Sequence, residues 1–313
     1  MPNKVFTSAK VKQNDEFYTR MEDISVELFR YRDFFKGKTI LCNCDDPDWS
    51  NFWIYFVKNF DWFGLRKLIS THYEPSGRSY KLEIAKDENG DGSINEKDTI
   101  KTPLSGNGDF RSDECVALLK EADIVITNPP FSLFREYVAQ LMQYGKKFII
   151  IGNKNAFTYK EIFPLIKEDR MWLGYNSPAP ECFMLPDGSI TKRVNGLTRW
   201  FTNIDVEKRH ESMILAKEYK GHEDEYPHYD NYDAINVDKT GDIPKDYLGT
   251  MGVPITFLDR YNPEQFEIVD ALNRYALLDA QGTNEAVAKK RSHTCNIDGK
   301  PTYFRIVIRR KQK

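Results

Sequence analysis

Between Asp23 and Phe35 the apolar residues Ile24, Leu28, Tyr31 and Phe35 recur at helical spacing, and Gly37 supplies a stop. Thr39–Asn43 (TILCN) reads as a short buried strand. Asp46-Pro47 predicts a helix start, an N-cap followed by proline at the first helical position. Phe52, Trp53, Phe56 and Phe60 continue that helix to Gly64, and Lys67–Thr71 is a second buried strand. Glu114–Ala122 predicts a short helix and Asp123–Thr127 (DIVIT) a third strand. Leu133, Phe134, Tyr137, Val138, Leu141 and Met142 then share one helix face before Gly145, and Lys147–Gly152 (KFIIIG) is a fourth strand. Short apolar strands alternating with amphipathic helices predict an α/β domain with a doubly wound, mostly parallel sheet covered on both faces.

After about residue 172 the pattern changes. Gly, Pro and Asn become frequent, and the runs between them are short and alternating, which predicts hairpins. One more helix is expected from Asn262-Pro263 to about Leu278, and the chain ends on an alternating strand, Tyr303–Arg310, with a basic tail. Two regions follow, residues 1–172 and 173–313, with a polar insertion at 86–106 in the first.

Composition narrows the class. Charged residues make up 29% of the 313 residues and hydrophobic ones 40%, as in ordinary soluble globular proteins. The formal net charge of −2 supplies no global positive field, so contact with nucleic acid must rest on local patches. Lys192-Arg193, Lys208-Arg209, Lys289-Lys290-Arg291 and Arg309-Arg310-Lys311 are such patches, expected to position phosphates. The five cysteines are odd in number and include no C-x-x-C, which argues against a disulfide framework and a zinc ribbon. No apolar stretch approaches the roughly 18 residues a membrane span needs. A reduced, cytoplasmic protein is expected.

The chemistry centres on Asn128-Pro129-Pro130-Phe131, directly after the DIVIT strand. An exocyclic amine on a nucleobase is a poor nucleophile because its lone pair is delocalised into the ring. The Asn128 side-chain oxygen and the Pro129 carbonyl are two acceptors on one rigid turn, able to draw the amine towards tetrahedral geometry. Phe131 can stack on the base. A duplex base must be flipped out to reach such a pocket. The bland alternative is a Pro-Pro turn in which Asn128 merely caps the next helix.

Upstream lie Asn14-Asp15-Glu16-Phe17-Tyr18-Thr19, Asn43-Cys44-Asp45-Asp46-Pro47 and Gly108-Asp109-Phe110-Arg111-Ser112. This order of motifs, with Trp200–Asn203 and Met251–Ile268, resembles the EcoRI-type adenine-specific DNA methyltransferase family over most of the chain. The resemblance implies a Rossmann-like core, S-adenosylmethionine as methyl donor, N6-methyladenine in double-stranded DNA as product, and a C-terminal target-recognition region. By position, Asn128, Pro129, Pro130 and Phe131 match the motif that holds the adenine, and Phe17, Tyr18 and Thr19 the motif touching the methionine part of the donor. Asn43, Cys44, Asp45 and Asp46 stand in place of the usual glycine-rich motif, and no F-x-G-x-G is present. Asp109, with Phe110, matches the acidic motif near the donor's adenine, and Glu74 or His72 can meet its ribose. A cognate restriction endonuclease is a candidate partner.

Alternatives on the same fold are methylation of RNA adenine or of protein glutamine, and a non-catalytic DNA-binding adaptor. Cytosine C5 chemistry lacks its Pro-Cys nucleophile. Separately, Asp87, Asn89, Asp91, Ser93, Asn95 and Asp98, with Gly92 at the sixth place, fit the twelve-residue calcium-loop pattern and predict a structural calcium site.

Overall fold

The computed structural model describes residues 18–44, 46–176, 180, 182–184, 189–191, 197–272 and 295–312. The chain forms two compact units, the first comprising Met1–Ala156 and Met171–Ile204, the second Phe157–Arg170 and Asp205–Lys313.

In the first unit, strand β1 (Tyr18–Thr19) leads into α1 (Met21–Leu28), a 3₁₀ turn and α2 (Arg32–Phe35). Next come β2 (Thr39–Cys42), α3 (Asn51–Lys58), α4 (Phe60–Phe63) and β3 (Lys67–Thr71). β4 (Tyr80–Ile84), β5 (Ile100–Pro103), α5 (Asp113–Glu121), β6 (Ile124–Thr127), α6 (Phe134–Gln143) and β7 (Lys147–Asn153) follow. After an excursion into the second unit the chain returns as β8 (Trp172–Leu173), β9 (Phe183–Met184) and β10 (Thr198–Thr202).

Eight strands make one sheet in the order β5-β4-β3-β2-β6-β7-β10-β8. Its centre, β3-β2-β6-β7, is parallel, and every residue of β2 and β6 is buried. Such strands are apolar throughout because both faces are covered. Antiparallel strands flank the centre on either side. Chain order runs outward from β2 to β3 on one side and on to β6 and β7 on the other, so the topological switch point lies between β2 and β6. Fully buried Glu27 accepts the Tyr31 hydroxyl (2.9 Å) and the Tyr175 and Asn176 N–H groups (both 2.8 Å), anchoring the chain just after β8.

The structure departs from the sequence reading at four points. The helix expected at Asp46-Pro47 starts at Asn51, with Ser50 as N-cap. Asp46 instead closes a turn, its carbonyl accepting from the N–H groups of Trp49 (3.0 Å) and Ser50 (2.7 Å). The aromatic run forms two helices, the second ended by Gly64 in the left-handed conformation. The insertion at 86–106 contains β5, which pairs with β4 at the sheet edge. Residues 173–204, expected in the second region, lie in the first unit, because β10 pairs antiparallel with β7 over its whole length.

The second unit holds α7 (Phe163–Lys167), β11 (His228–Tyr229), β12 (Tyr232–Asn236), β13 (Met251–Pro254), β14 (Phe266–Leu272), β15 (Asn296–Ile297), β16 (Lys300–Pro301) and β17 (Arg305–Arg310). Five strands form a sheet ordered β11-β12-β13-β17-β14, parallel only at β12–β13. Tyr229, Ala234, Leu272, Cys295 and Val307 make one of its buried clusters. The helix expected from Asn262-Pro263 is contradicted: Phe266–Leu272 is a strand paired with β17, and residues 273–278 lie outside the described ones. Among the described residues no helix is long and apolar enough to cross a membrane.

Candidate active site

Because β2, β3, β6 and β7 are parallel, the residues after each gather at one sheet edge. Asn43 and Cys44 follow β2, His72 follows β3, and Asn128 follows β6. In open α/β sheets that edge, at the switch point, is where ligands sit. The prolines hold the Asn128–Phe131 turn between β6 and α6 rigid; Asn128 is 6% exposed and Phe131 half-buried.

Asn43, nearly buried, is fixed from two sides. Its carbonyl accepts the Thr127 hydroxyl and its side-chain oxygen accepts the Tyr137 hydroxyl. Burial pushes the Tyr137 hydroxyl well above its ordinary pKa, so it stays a donor. These contacts join the first-motif loop to the strand and helix that bracket the Asn-Pro-Pro-Phe turn. Cys44 adopts a left-handed conformation (φ 70°). Glycine takes that conformation freely, whereas a cysteine there bears a strain of about 1–2 kcal/mol.

Asp46 lies 3.7 Å from His72 Nε2, and His72 stacks on Tyr80 with ring centroids 4.7 Å apart. Gly108 (φ 80°) runs so close to His72 that a Cβ would strike its carbonyl oxygen. Asp109 is gripped by Arg111 through two bonds of 2.9 and 2.6 Å, which holds its carboxyl below the usual range. Phe110 packs edge-on against Tyr137, centroids 5.1 Å apart. Glu74 turns instead to Ser76, whose hydroxyl it accepts at 2.9 Å.

Thr19, at the end of β1, is 1% exposed, and its hydroxyl oxygen meets no hydrogen-bond partner among the described residues. A buried hydroxyl left so is costly unless a ligand or water completes it. Phe17 and Asp45 lie outside the described residues, as do Lys192-Arg193 and Lys289–Arg291. Tyr137, Thr127 and Phe183, which packs against Phe131, belong to none of the quoted site motifs; only contacts with residues distant in the chain give them a role.

The calcium-loop residues receive no support from the geometry. Asp87 accepts the Gly90 and Gly92 N–H groups at 2.6 and 2.8 Å, and Asp91 accepts Ser93. Asp98, 1% exposed, accepts Glu88, Asn89 and Asn95 N–H groups, while Asn95 caps the turn after it. Asn89 accepts Asp91, so the oxygens serve the loop's own backbone. Among the described residues no group of three or more His, Cys, Asp or Glu side chains is placed to hold a metal.

Comparison with known proteins agrees with the geometry. The family model described as adenine-specific methyltransferase EcoRI matches residues 5–311. The Type II methyltransferase M.EcoRI of Escherichia coli is 45% identical over 99% of this chain and 97% of its own. M.MpnI of Mycoplasma pneumoniae is 41% identical, with 98% of each chain covered. M.MgeORF184P of Mycoplasma genitalium is 39% identical over 98% of this chain and 99% of its own. No solved structure matches the chain. Similarity of this extent, over a buried Asn-Pro-Pro-Phe turn at the switch point, means that the chain belongs to the EcoRI family of adenine-specific methyltransferases.

Proposed function

We propose that the protein transfers a methyl group from S-adenosylmethionine to N6 of an adenine flipped out of duplex DNA. The observation that carries this reading is the Asn128–Phe131 turn at the carboxyl end of β6, tied through Thr127 and Tyr137 to the loop after β2. The fit of the donor rests on the buried Thr19 hydroxyl, which meets no partner among the described residues, and on the close backbone approach at Gly108. Thr19, Asn43, Cys44, Asp46, Asp109 and Phe110 are the residues that would hold it, with His72 beside Asp46. When bound, the donor supplies an electrophilic methyl on a sulfonium.

Asn128 Oδ1 and the Pro129 carbonyl accept the two N6 hydrogens, localise the lone pair on nitrogen and orient it. Phe131 stacks on the base and holds it out of the duplex. The relatives' designation as Type II enzymes supports a place in restriction-modification, with an endonuclease of matching specificity as counterpart. The second unit, with Lys208 and Arg309–Lys311, is the candidate target-recognition region.

The test is label transfer from the methyl-labelled donor to DNA, followed by nucleoside analysis. Asn128→Ala is expected to lower turnover by at least about 10²-fold, the scale of removing one aimed polar group, with donor affinity nearly unchanged. Label on cytosine, RNA or protein, or an unimpaired Asn128→Ala enzyme, would overturn the reading.

A further inference from the structure

Phe183 sits where two short strands meet the Asn128–Phe131 turn. It is fully buried, and its ring stands edge-on to Phe131, centroids 6.4 Å apart and planes at 79°. Its backbone is held on both sides by one residue: its N–H donates to the Thr191 hydroxyl (2.9 Å) and its carbonyl accepts the Thr191 N–H (2.8 Å). β9 pairs antiparallel with β1, placing Phe183 opposite Thr19. Thr19 is fixed in turn from the far side, its carbonyl accepting Asn51 Nδ2 at 2.8 Å. Asn51 opens α3, immediately after the turn closed by Asp46.

A continuous line of contacts therefore runs from the Asp46 turn through Asn51, Thr19 and Phe183 to Phe131. A ladder of two residue pairs has no stability of its own. It persists because both ends are anchored, so a shift at one end must be passed to the other. Edge-to-face packing constrains the plane of the Phe131 ring, which must lie flat against a base to stack on it.

We propose that Phe183 is a positioning residue for methyl transfer, setting the Phe131 ring and coupling it, through β1 and Asn51, to occupancy of the donor site. The inference rests on reading Thr19 as a donor contact and Phe131 as the stacking ring. Donor binding completes the Thr19 hydroxyl, stiffens the β1–β9 pair and pre-sets Phe131 for the incoming adenine. Phe183 does not touch the reacting atoms.

The experiment uses full-length protein and duplex DNA carrying 2-aminopurine at the mapped target adenine, whose fluorescence rises when the base leaves the stack. S-adenosylhomocysteine stands in for the donor. In the wild type, its addition is expected to raise the fluorescence of the bound complex. In Phe183→Leu that rise should disappear and turnover fall about three- to ten-fold, the worth of one aromatic pair. Affinity for S-adenosylhomocysteine should stay within about two-fold. Asn51→Ala, which leaves both rings in place, should also remove the rise, keeping the test open if Phe183→Leu folds poorly.

A wild-type signal indifferent to S-adenosylhomocysteine would overturn the coupling. So would a full rise in both variants, even with turnover reduced, since a mere wall of the pocket would behave that way. Failure of the wild type to methylate adenine at all would count instead against the proposed function.

Discussion

Gly108 shows how a single residue shapes the proposed donor side of the site. Its φ of 80° lies in the left-handed region, and a Cβ would meet the His72 carbonyl oxygen and, at 2.8 Å, the Ser79 hydroxyl oxygen. The His72 carbonyl and the Ser79 side chain are themselves locked together, since Ser79 donates to that carbonyl. Gly108→Ala is therefore expected to cost roughly 2–4 kcal/mol, strain plus a clash that backbone must absorb. It should also weaken donor binding, because His72 would move relative to Asp46. Urea unfolding and donor titration check this; wild-type values for both would sink it. The calcium pattern is left without support at the same scale. Asp, Asn and Ser alternating with Gly suit a cation, and they suit backbone N–H groups in tight turns equally well. Nothing in residues 87–98 as a string separates the two uses; in the structure Asp98 is turned inward onto three N–H groups.

Among elements, the 3₁₀ turn Glu207–His210 is secured by charge. His210 offers Nε2 to Asp205 (2.9 Å) and Nδ1 to Glu264 (2.9 Å), and Arg209 pairs with Asp169 and Asp205. Both ring nitrogens donate only when the imidazole is protonated. The bond to Asp205, then that to Glu264, raises the His210 pKa above its ordinary 6.5. A raised folded-state pKa means the stabilisation is complete below about 6.5 and fades as pH climbs through the folded value. Melting temperatures of wild type and His210→Gln should therefore differ at pH 6 and converge at alkaline pH. A constant difference across that range would contradict the assignment. The site is well exposed, so the difference will be small.

β14 teaches the matching lesson about legibility. Asn262 does what an N-cap would do, its side chain accepting the Glu264 N–H at 2.7 Å. Phe266, Val269 and Leu272 are also spaced as on a helix. Yet Phe266 and Ile268 alternate equally well, and β17 was there to pair with them. Where periodicity fits both forms, the available partner chooses.

For the whole molecule, a net charge of −2 confines DNA contact to local cations, and the folded chain leaves fewer of these than the sequence displays. Arg209 is spent on Asp169 and Asp205, and Arg309 lies 3.9 Å from Glu267. DNA affinity should fall as salt rises, with a log–log slope of about −0.9 per phosphate neutralised. Lys311→Ala should make that slope shallower by about one contact. Arg209→Ala should instead lower the stability of the second unit and leave the slope unchanged. Anisotropy titrations across a salt series distinguish these; an equal change of slope for Arg209→Ala would show the pairing is not maintained on DNA.

The sequence by itself determined what depends on near neighbours. The apolar runs of β2, β3, β6 and β7, the helices between them and the rigid Asn-Pro-Pro-Phe turn are encoded within a few residues of each other, and motif order sufficed to indicate the family. Tertiary structure alone decided which strands became partners. It set β10 antiparallel against β7, folded the insertion into the β4–β5 hairpin, sent Phe157–Arg170 into the second unit, and put Phe183 against Phe131 across a gap of some fifty residues. A strand's hydrogen-bonding edge carries no address, so its partner is chosen by burial and packing summed over the whole fold. That is why the Asn-Pro-Pro-Phe turn was legible from the chain and the residues packed against it were not.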